Sequence, residues 1–117
     1  MELEEHLAAE QLLDLLPRFG AIPVRERVVL DRNRVTGGGV TAGIDFGLRL
    51  AAELRGEKVA KEIQLLMEYD PAPPYAAGSP RTAGAALVES VTAARSAISE
   101  ERRRVVDRAA SKLGIPR

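Results

Sequence analysis

Residues 34–48, RVTGGGVTAGIDFGL, decide the fold of this 117-residue chain. The first residues are typical of the end of a strand, and the three glycines allow a tight turn or a close backbone approach because glycine has no Cβ. Thr41 is a favourable N-cap for a helix that starts at once, and Asp45 places a negative charge near the positive end of the helix dipole. α/β proteins often bind ligands where a strand turns into a helix. The candidate substrate loop is Gly38, Gly39, Val40 and Thr41.

Hydrophobic periodicity and turn signals predict the rest of the chain around this unit. The predicted elements are a helix over residues 2–16, strands over 25–31 and 34–37, helices over 42–55 and 57–69, an extended proline connector over 70–75 and one long helix over 82–113. The two strands are separated by the turn signal Asp31-Arg32-Asn33 and are predicted to form a hairpin. The helix over 42–55 is apolar on more than one side, which indicates burial on two faces.

The composition argues against several classes of function. The formal net charge is zero and aromatic residues make up 3% of the chain, so neither an electrostatic footprint nor stacking platforms for nucleic acid are expected. No apolar run approaches the roughly 20 residues that span a bilayer. The N-terminus is acidic, unlike a signal peptide. We therefore expect no nucleic-acid or membrane partner, and a cytoplasmic location.

Cysteine is absent, and the chain has one histidine, His6. These counts argue against disulfides, thiolate or multi-histidine metal sites and a cysteine nucleophile within the chain. We expect neither a metal nor a cofactor. His6 is interpreted as a surface or half-buried histidine of the first predicted helix, and no catalytic role is assigned to it.

Two glycine motifs resemble phosphate-binding loops only loosely. Gly37, Gly39 and Ala42 have the spacing of a dinucleotide fingerprint, but the preceding half of a βαβ unit and the expected acidic residue are missing. Residues 38–43 have Walker-like spacing without the required Lys and Ser/Thr. We reject both interpretations. Two readings stay open: backbone N–H groups of residues 40–43 can bind an anion or a carbonyl oxygen, or the glycines only let the strand turn into a buried helix.

A family resemblance is carried by residues 27–48, with residues 64–75 and 77–80. These segments contain the runs GGGVTAGID and EYDP, and they resemble the C-terminal half of the ThiJ/PfpI superfamily in its isonitrile hydratase-like branch. Residues 1–80 are interpreted as the C-terminal half of such a domain, and residues 81–117 as its long C-terminal helix.

The resemblance implies an α/β fold, part of a flavodoxin-like (class I glutamine amidotransferase-like) sandwich, present here as a short β-hairpin with mostly helices. In the family, a cysteine on a strand-to-helix elbow is the nucleophile and a carboxylate near the N-terminus supports it. Isonitrile hydratases are lyases that add water to an isonitrile and give an N-substituted formamide. Both groups belong to the N-terminal half of the family domain, and this chain is expected to begin after that half. We therefore expect a chain that is inactive alone and takes a small-molecule substrate only when complemented.

The alternative function is a non-enzymatic dimerisation or interaction module. The expected partner is a second copy of the chain or a complementing N-terminal half. Whether another chain supplies that half, or the gene is truncated, stays open. A binding cleft predicts that the glycine loop faces a concavity, whereas an interaction module predicts that the loop is packed shut.

Overall fold

The computed structural model describes residues 2–3 and 13–116 of the chain. The strands are β1 (Glu2–Leu3), β2 (Ile22–Pro23), β3 (Val28–Asp31) and β4 (Arg34–Gly37). The helices are α1 (Ala42–Arg55), α2 (Glu57–Leu66), α3 (Pro80–Ala83), α4 (Ala85–Ala94) and α5 (Ser96–Lys112). The described part is thus mostly helical, with short strands. None of its helices is both long and apolar enough to cross a membrane.

The β3–β4 hairpin and α1 form the unit that carries the glycine loop. The strands pair antiparallel with Leu30 opposite Val35, and Arg32 takes a left-handed φ of 56° at the turn. This confirms the predicted hairpin, although its first strand begins three residues later than predicted. α1 has the predicted bounds and packs against both strands and α2. Val29 and Ala42 are buried where these elements meet.

α2 follows α1 with a sharp change of direction at Gly56, where φ is 90°. The helix was predicted to run to residue 69 but ends at Leu66, because Glu68 adopts a left-handed φ of 51° that leaves the helical region. The chain then continues through the proline connector without regular secondary structure.

The N-terminal helix predicted over residues 2–16 lies largely outside the described residues, as does His6. At its start the prediction is wrong, because Glu2–Leu3 is a strand that pairs in parallel with Ile22–Pro23. Local periodicity does not reveal such a pairing, because the two paired strands lie about twenty residues apart in the sequence. A 3₁₀ turn over Leu16–Phe19 precedes β2.

The prediction of a single long helix over residues 82–113 is also wrong. Gly84 has φ 84° and ψ 153°, outside the helical region, and it separates α3 from α4. A second break lies at Arg95, with φ −110° and ψ 8°, between α4 and α5. The apolar repeat from Leu87 to Leu113 continues through the break at Arg95, so periodicity alone predicted one helix. α5 contacts the 3₁₀ turn, and Arg18 of that turn lies 3.5 Å from Asp107 of α5.

The core of the chain is small for its length. The radius of gyration is 16.7 Å, against about 13 Å for a compact domain of this size. The accessible surface is 8440 Å², roughly 2200 Å² more than a compact monomer of this mass exposes. Four of the seven buried apolar residues among those described are alanines, whereas Leu54 is 70% and Leu66 is 85% exposed. The two-sided burial predicted for α1 is therefore not achieved within the chain, since Ile44 and Leu50 are also exposed.

Candidate functional site

The glycine loop leaves β4 and reaches α1 through an exposed turn. The Gly38 N–H donates to the Arg27 carbonyl at 2.9 Å, which fixes the loop to the start of the hairpin. Gly39 has φ 86°, a left-handed conformation that favours glycine. Val40 follows with 98% of its surface exposed. The loop is therefore an ordered turn that presents an apolar side chain outward.

The start of α1 differs from the prediction in one respect. Thr41 occupies the N-cap position, but its φ of −77° and ψ of −18° are already helical and its side chain makes no capping hydrogen bond. The predicted capping role of the Thr41 hydroxyl is therefore wrong. The Gly43 N–H donates to the Val40 carbonyl at 3.3 Å, so this backbone donor is already engaged within the turn.

An open cavity of about 1010 Å³ lies against the loop. Two segments supply most of its lining, which is Gly39, Val40, Thr41 and Ile44 from the loop and α1, and Pro71, Ala72, Pro73 and Gly78 from the connector and the residues that follow it. Of the four predicted loop residues, three line this cavity, while Gly38 is held behind them by its bond to Arg27. The loop thus faces a concavity.

Three polar side chains complete the lining and form a hydrogen-bonded group, the Arg27–Asp45–Tyr69 network. The Arg27 Nε–H donates to Asp45 Oδ2 at 2.6 Å, and Nη2 of the same guanidinium lies 2.5 Å from that oxygen. The Tyr69 hydroxyl donates to Asp45 Oδ1 at 2.9 Å. The Asp45 carboxylate therefore serves two donors, one on each of its oxygens.

This network shifts the proton affinity of both donors. The hydrogen bond to Asp45 raises the pKa of Tyr69, because deprotonating the phenol would place two negative charges side by side. The same carboxylate raises the pKa of Arg27 above its already high value, chiefly through their hydrogen bond. At neutral pH the phenol is therefore protonated and the guanidinium is charged, so both can donate to Asp45.

Sequence reasoning missed the roles of these three residues. Asp45 was interpreted only as a complement to the helix dipole, and residues 70–75 as an extended connector in preference to a proline-rich ligand for an aromatic groove. Arg27 and Tyr69 lie 18 and 24 residues from Asp45, so no helical or strand period links them. The run EYDP, which carried part of the family resemblance, was the one signal that pointed to Tyr69.

The described lining of the cavity combines apolar surface with three hydrogen-bonded polar side chains. No group of three or more His, Cys, Asp or Glu side chains that could hold a metal ion occurs among the described residues. The sequence has no cysteine. Asp45 is the one carboxylate among the described residues that line the cavity, and Arg27 and Tyr69 both donate to it. Its occupied oxygens favour a structural role over proton transfer.

Comparison with known proteins gives two related findings. No family model matches the chain. The chain is 51% identical over 102 residues to the isonitrile hydratase of Pseudomonas putida, a match that covers 87% of this chain and 45% of that protein. It also resembles the crystal structure of a ThiJ/PfpI family protein from Pseudomonas syringae, with 43% identity and a TM-score of 0.80 over 90% of this chain and 42% of that one. The chain thus spans about half the length of the relatives it matches.

Proposed function

This chain belongs to the ThiJ/PfpI family as an isonitrile hydratase homologue that covers about half of the homologue's length, and we propose that it supplies one wall of an isonitrile-binding cleft. In this proposal the chain corresponds to the C-terminal half of a flavodoxin-like sandwich. The loop Gly39–Val40–Thr41 contacts the substrate, and Gly38 holds that loop in place. The thiolate nucleophile comes from outside these 117 residues.

The chemistry of isonitrile hydration explains this division of roles. The reaction adds one water to R–N≡C and gives R–NH–CHO. Nucleophilic addition of a thiolate to the terminal carbon, with a proton delivered to the same carbon, gives R–N=CH–S–enzyme. Water then replaces the thiolate, and the product tautomerises to the formamide. A cysteine and a proton donor are needed for these steps, whereas the wall described here has to hold R and exclude water.

The observation that carries the proposal is the loop's position at the open cavity. Val40 and Ile44 offer apolar surface beside Pro71 and Pro73. An apolar wall suits the uncharged body of an isonitrile, and small-molecule sites combine such walls with a few polar groups. The large exposure of Val40 is expected if this face meets a substrate and a second wall.

Ligand binding to the isolated chain tests the proposal. We expect an alkyl isonitrile, or the corresponding N-alkylformamide, to shift the backbone amide NMR resonances of Gly39, Val40 and Thr41 at millimolar concentration. The matched alcohol, which carries the same alkyl group, is the control for non-specific apolar contact and is expected to cause smaller shifts at these positions. Shifts that are equal for the alcohol, or that avoid the loop, would count against a substrate wall.

A second candidate function, the dimerisation or interaction module, is favoured by the exposed apolar surface. The excess of roughly 2200 Å² over a compact monomer exceeds the share of about 800 Å² that one partner buries in a standard interface. Leu54, Leu65 and Leu66 are exposed apolar residues on α1 and α2 that a second copy could cover.

Sedimentation of the purified chain tests this second candidate. We expect a homodimer or larger species at micromolar concentration, because burying exposed apolar surface favours association. Leu65→Ser and Leu66→Ser are expected to shift the distribution toward monomer, with Lys58→Ser on the same helix as a control at a polar exposed position. A compact monomer that melts cooperatively would contradict the expectation of self-association.

A further inference from the structure

The two apolar segments that line the cavity are tied together through Asp45. One segment is the glycine loop, whose Gly38 N–H is held by the Arg27 carbonyl at 2.9 Å. The Arg27 side chain donates to Asp45 in the first turn of α1. The same residue therefore contacts the loop through its backbone and Asp45 through its guanidinium.

The other segment is the proline connector, which begins directly after Tyr69. The Tyr69 carbonyl accepts a hydrogen bond from Gln64 Nε2 at 3.1 Å, and its hydroxyl donates to Asp45 at 2.9 Å. Tyr69 is thus anchored at its backbone by α2 and at its side chain by α1. Pro71, Ala72 and Pro73 leave this anchored residue and line the cavity.

We propose that Asp45 is a positioning residue that sets the separation of the glycine loop and the proline connector, and so the width of the cleft. The Asp45 carboxylate accepts hydrogen bonds from both Arg27 and Tyr69. Removing it removes the group through which these two residues are joined. The inference rests on the proposed function in that the cavity is taken as the ligand cleft, but the separation of the two segments is measurable without any ligand.

The neighbouring charged groups do not substitute for Asp45. Arg49 of α1 pairs with Glu53 on the same helix, and Lys61 of α2 pairs with Glu57. All four groups are paired within their own helix. Asp45 is 29% exposed at its side chain, so its bonds are partly screened from solvent and are worth more than those of a fully exposed pair.

A role in complementing the helix dipole is the alternative explanation for Asp45, since it lies in the first turn of α1. That role predicts a change in helix stability when the charge is removed, but no change in the ionisation of a tyrosine on another element. The network predicts both a changed segment separation and a changed pKa of Tyr69.

The absence of native cysteine makes the segment separation measurable. Val40→Cys and Ala72→Cys place two nitroxide labels on exposed positions across the cavity. In this background Asp45→Asn, which keeps the side-chain volume, is expected to lengthen and broaden the interspin distance distribution measured by pulsed electron paramagnetic resonance. Glu53→Gln, which removes the exposed ion pair on the same helix, is the matched control and is expected to leave the distribution unchanged.

A second variant covers the case in which Asp45→Asn does not fold. Tyr69→Phe removes only the hydroxyl group and is expected to broaden the same distribution. An unchanged distribution in Tyr69→Phe, or in folded Asp45→Asn, overturns the positioning role.

The ionisation of Tyr69 gives a readout that a purely helical role would not move. The chain has two tyrosines and no tryptophan, so Tyr75→Phe leaves Tyr69 as the one phenol in an ultraviolet titration. Asp45→Asn is expected to lower the pKa of Tyr69, because the carboxylate that stabilises the protonated phenol is gone. A titration curve unchanged by Asp45→Asn overturns the inference. If Asp45→Asn causes both changes and the unlabelled chain with Asp45 intact binds no isonitrile, the proposed function is refuted and the positioning role stands.

Discussion

The purified 117-residue chain is expected to hydrate no isonitrile above the rate in buffer. The sequence contains no residue that can become a thiolate. The Asp45 carboxylate, which lines the cavity, accepts hydrogen bonds from two donors. A general base acting alone contributes about 10²–10⁴-fold, far below the roughly 10⁶-fold or more of a typical enzyme. Loss of the isonitrile and appearance of the formamide, followed by gas chromatography, measure this directly.

A thiol-blocking reagent separates the chain's own activity from that of a contaminant. Since the chain has no cysteine, any turnover that the reagent abolishes belongs to another protein in the preparation. Turnover that exceeds the buffer rate and persists after the reagent would contradict both the thiolate mechanism and the expected inactivity.

The largest expected effect on stability is at Gly39. Its φ of 86° lies in the left-handed region, where a β-branched residue is strained. Gly39→Val should destabilise the fold by about 1–3 kcal/mol, visible as a lower thermal midpoint. Gly37 is not among the glycines with a positive φ, and an added Cβ there would meet Phe46 at an ordinary 3.5 Å.

Gly47→Ala is the matched control on the helix that follows the loop. Gly47 lies inside α1, and an added Cβ would meet nothing within 4 Å. Alanine there should stabilise the chain by about 0.5–1 kcal/mol because glycine loses more conformational freedom on folding. Gly39→Val could leave the thermal midpoint unchanged while Gly47→Ala raises that midpoint. In that case the three glycines at 37–39 are a flexible linker and not a fixed turn.

The sequence predicted the elements whose signals are local. The hairpin follows from a short β-branched run beside a turn signal, and α1 follows from the glycine turn and the apolar spacing up to Gly56. The loop was predicted from the same local pattern. The structure places Gly39, Val40 and Thr41 at a cavity and Gly38 against the hairpin.

The features that the sequence did not reveal depend on distant residues or on one dihedral angle. The parallel pairing of β1 with β2 and the Arg27–Asp45–Tyr69 network join residues with no common period. A single residue, Arg95, separates α4 from α5 although the apolar repeat continues past it. The exposed apolar surface of α1 could not be predicted either. A helix that is apolar on two sides is expected to be buried on both, but the pattern does not show whether the same chain or another one covers the second side.

Complementation tests most directly the central claim that this chain forms one wall of an isonitrile-binding cleft. The chain is combined with the part of the Pseudomonas putida isonitrile hydratase that lies outside the match, and complex formation is checked by size-exclusion chromatography before turnover is assayed. The control is a matched partner in which serine replaces the cysteine that the family resemblance predicts to be the nucleophile. We expect isonitrile hydration from the complex with the cysteine, none from the serine control and none from either part alone. A stable complex that retains the cysteine and hydrates no isonitrile would contradict the claim that this chain forms a wall of the cleft.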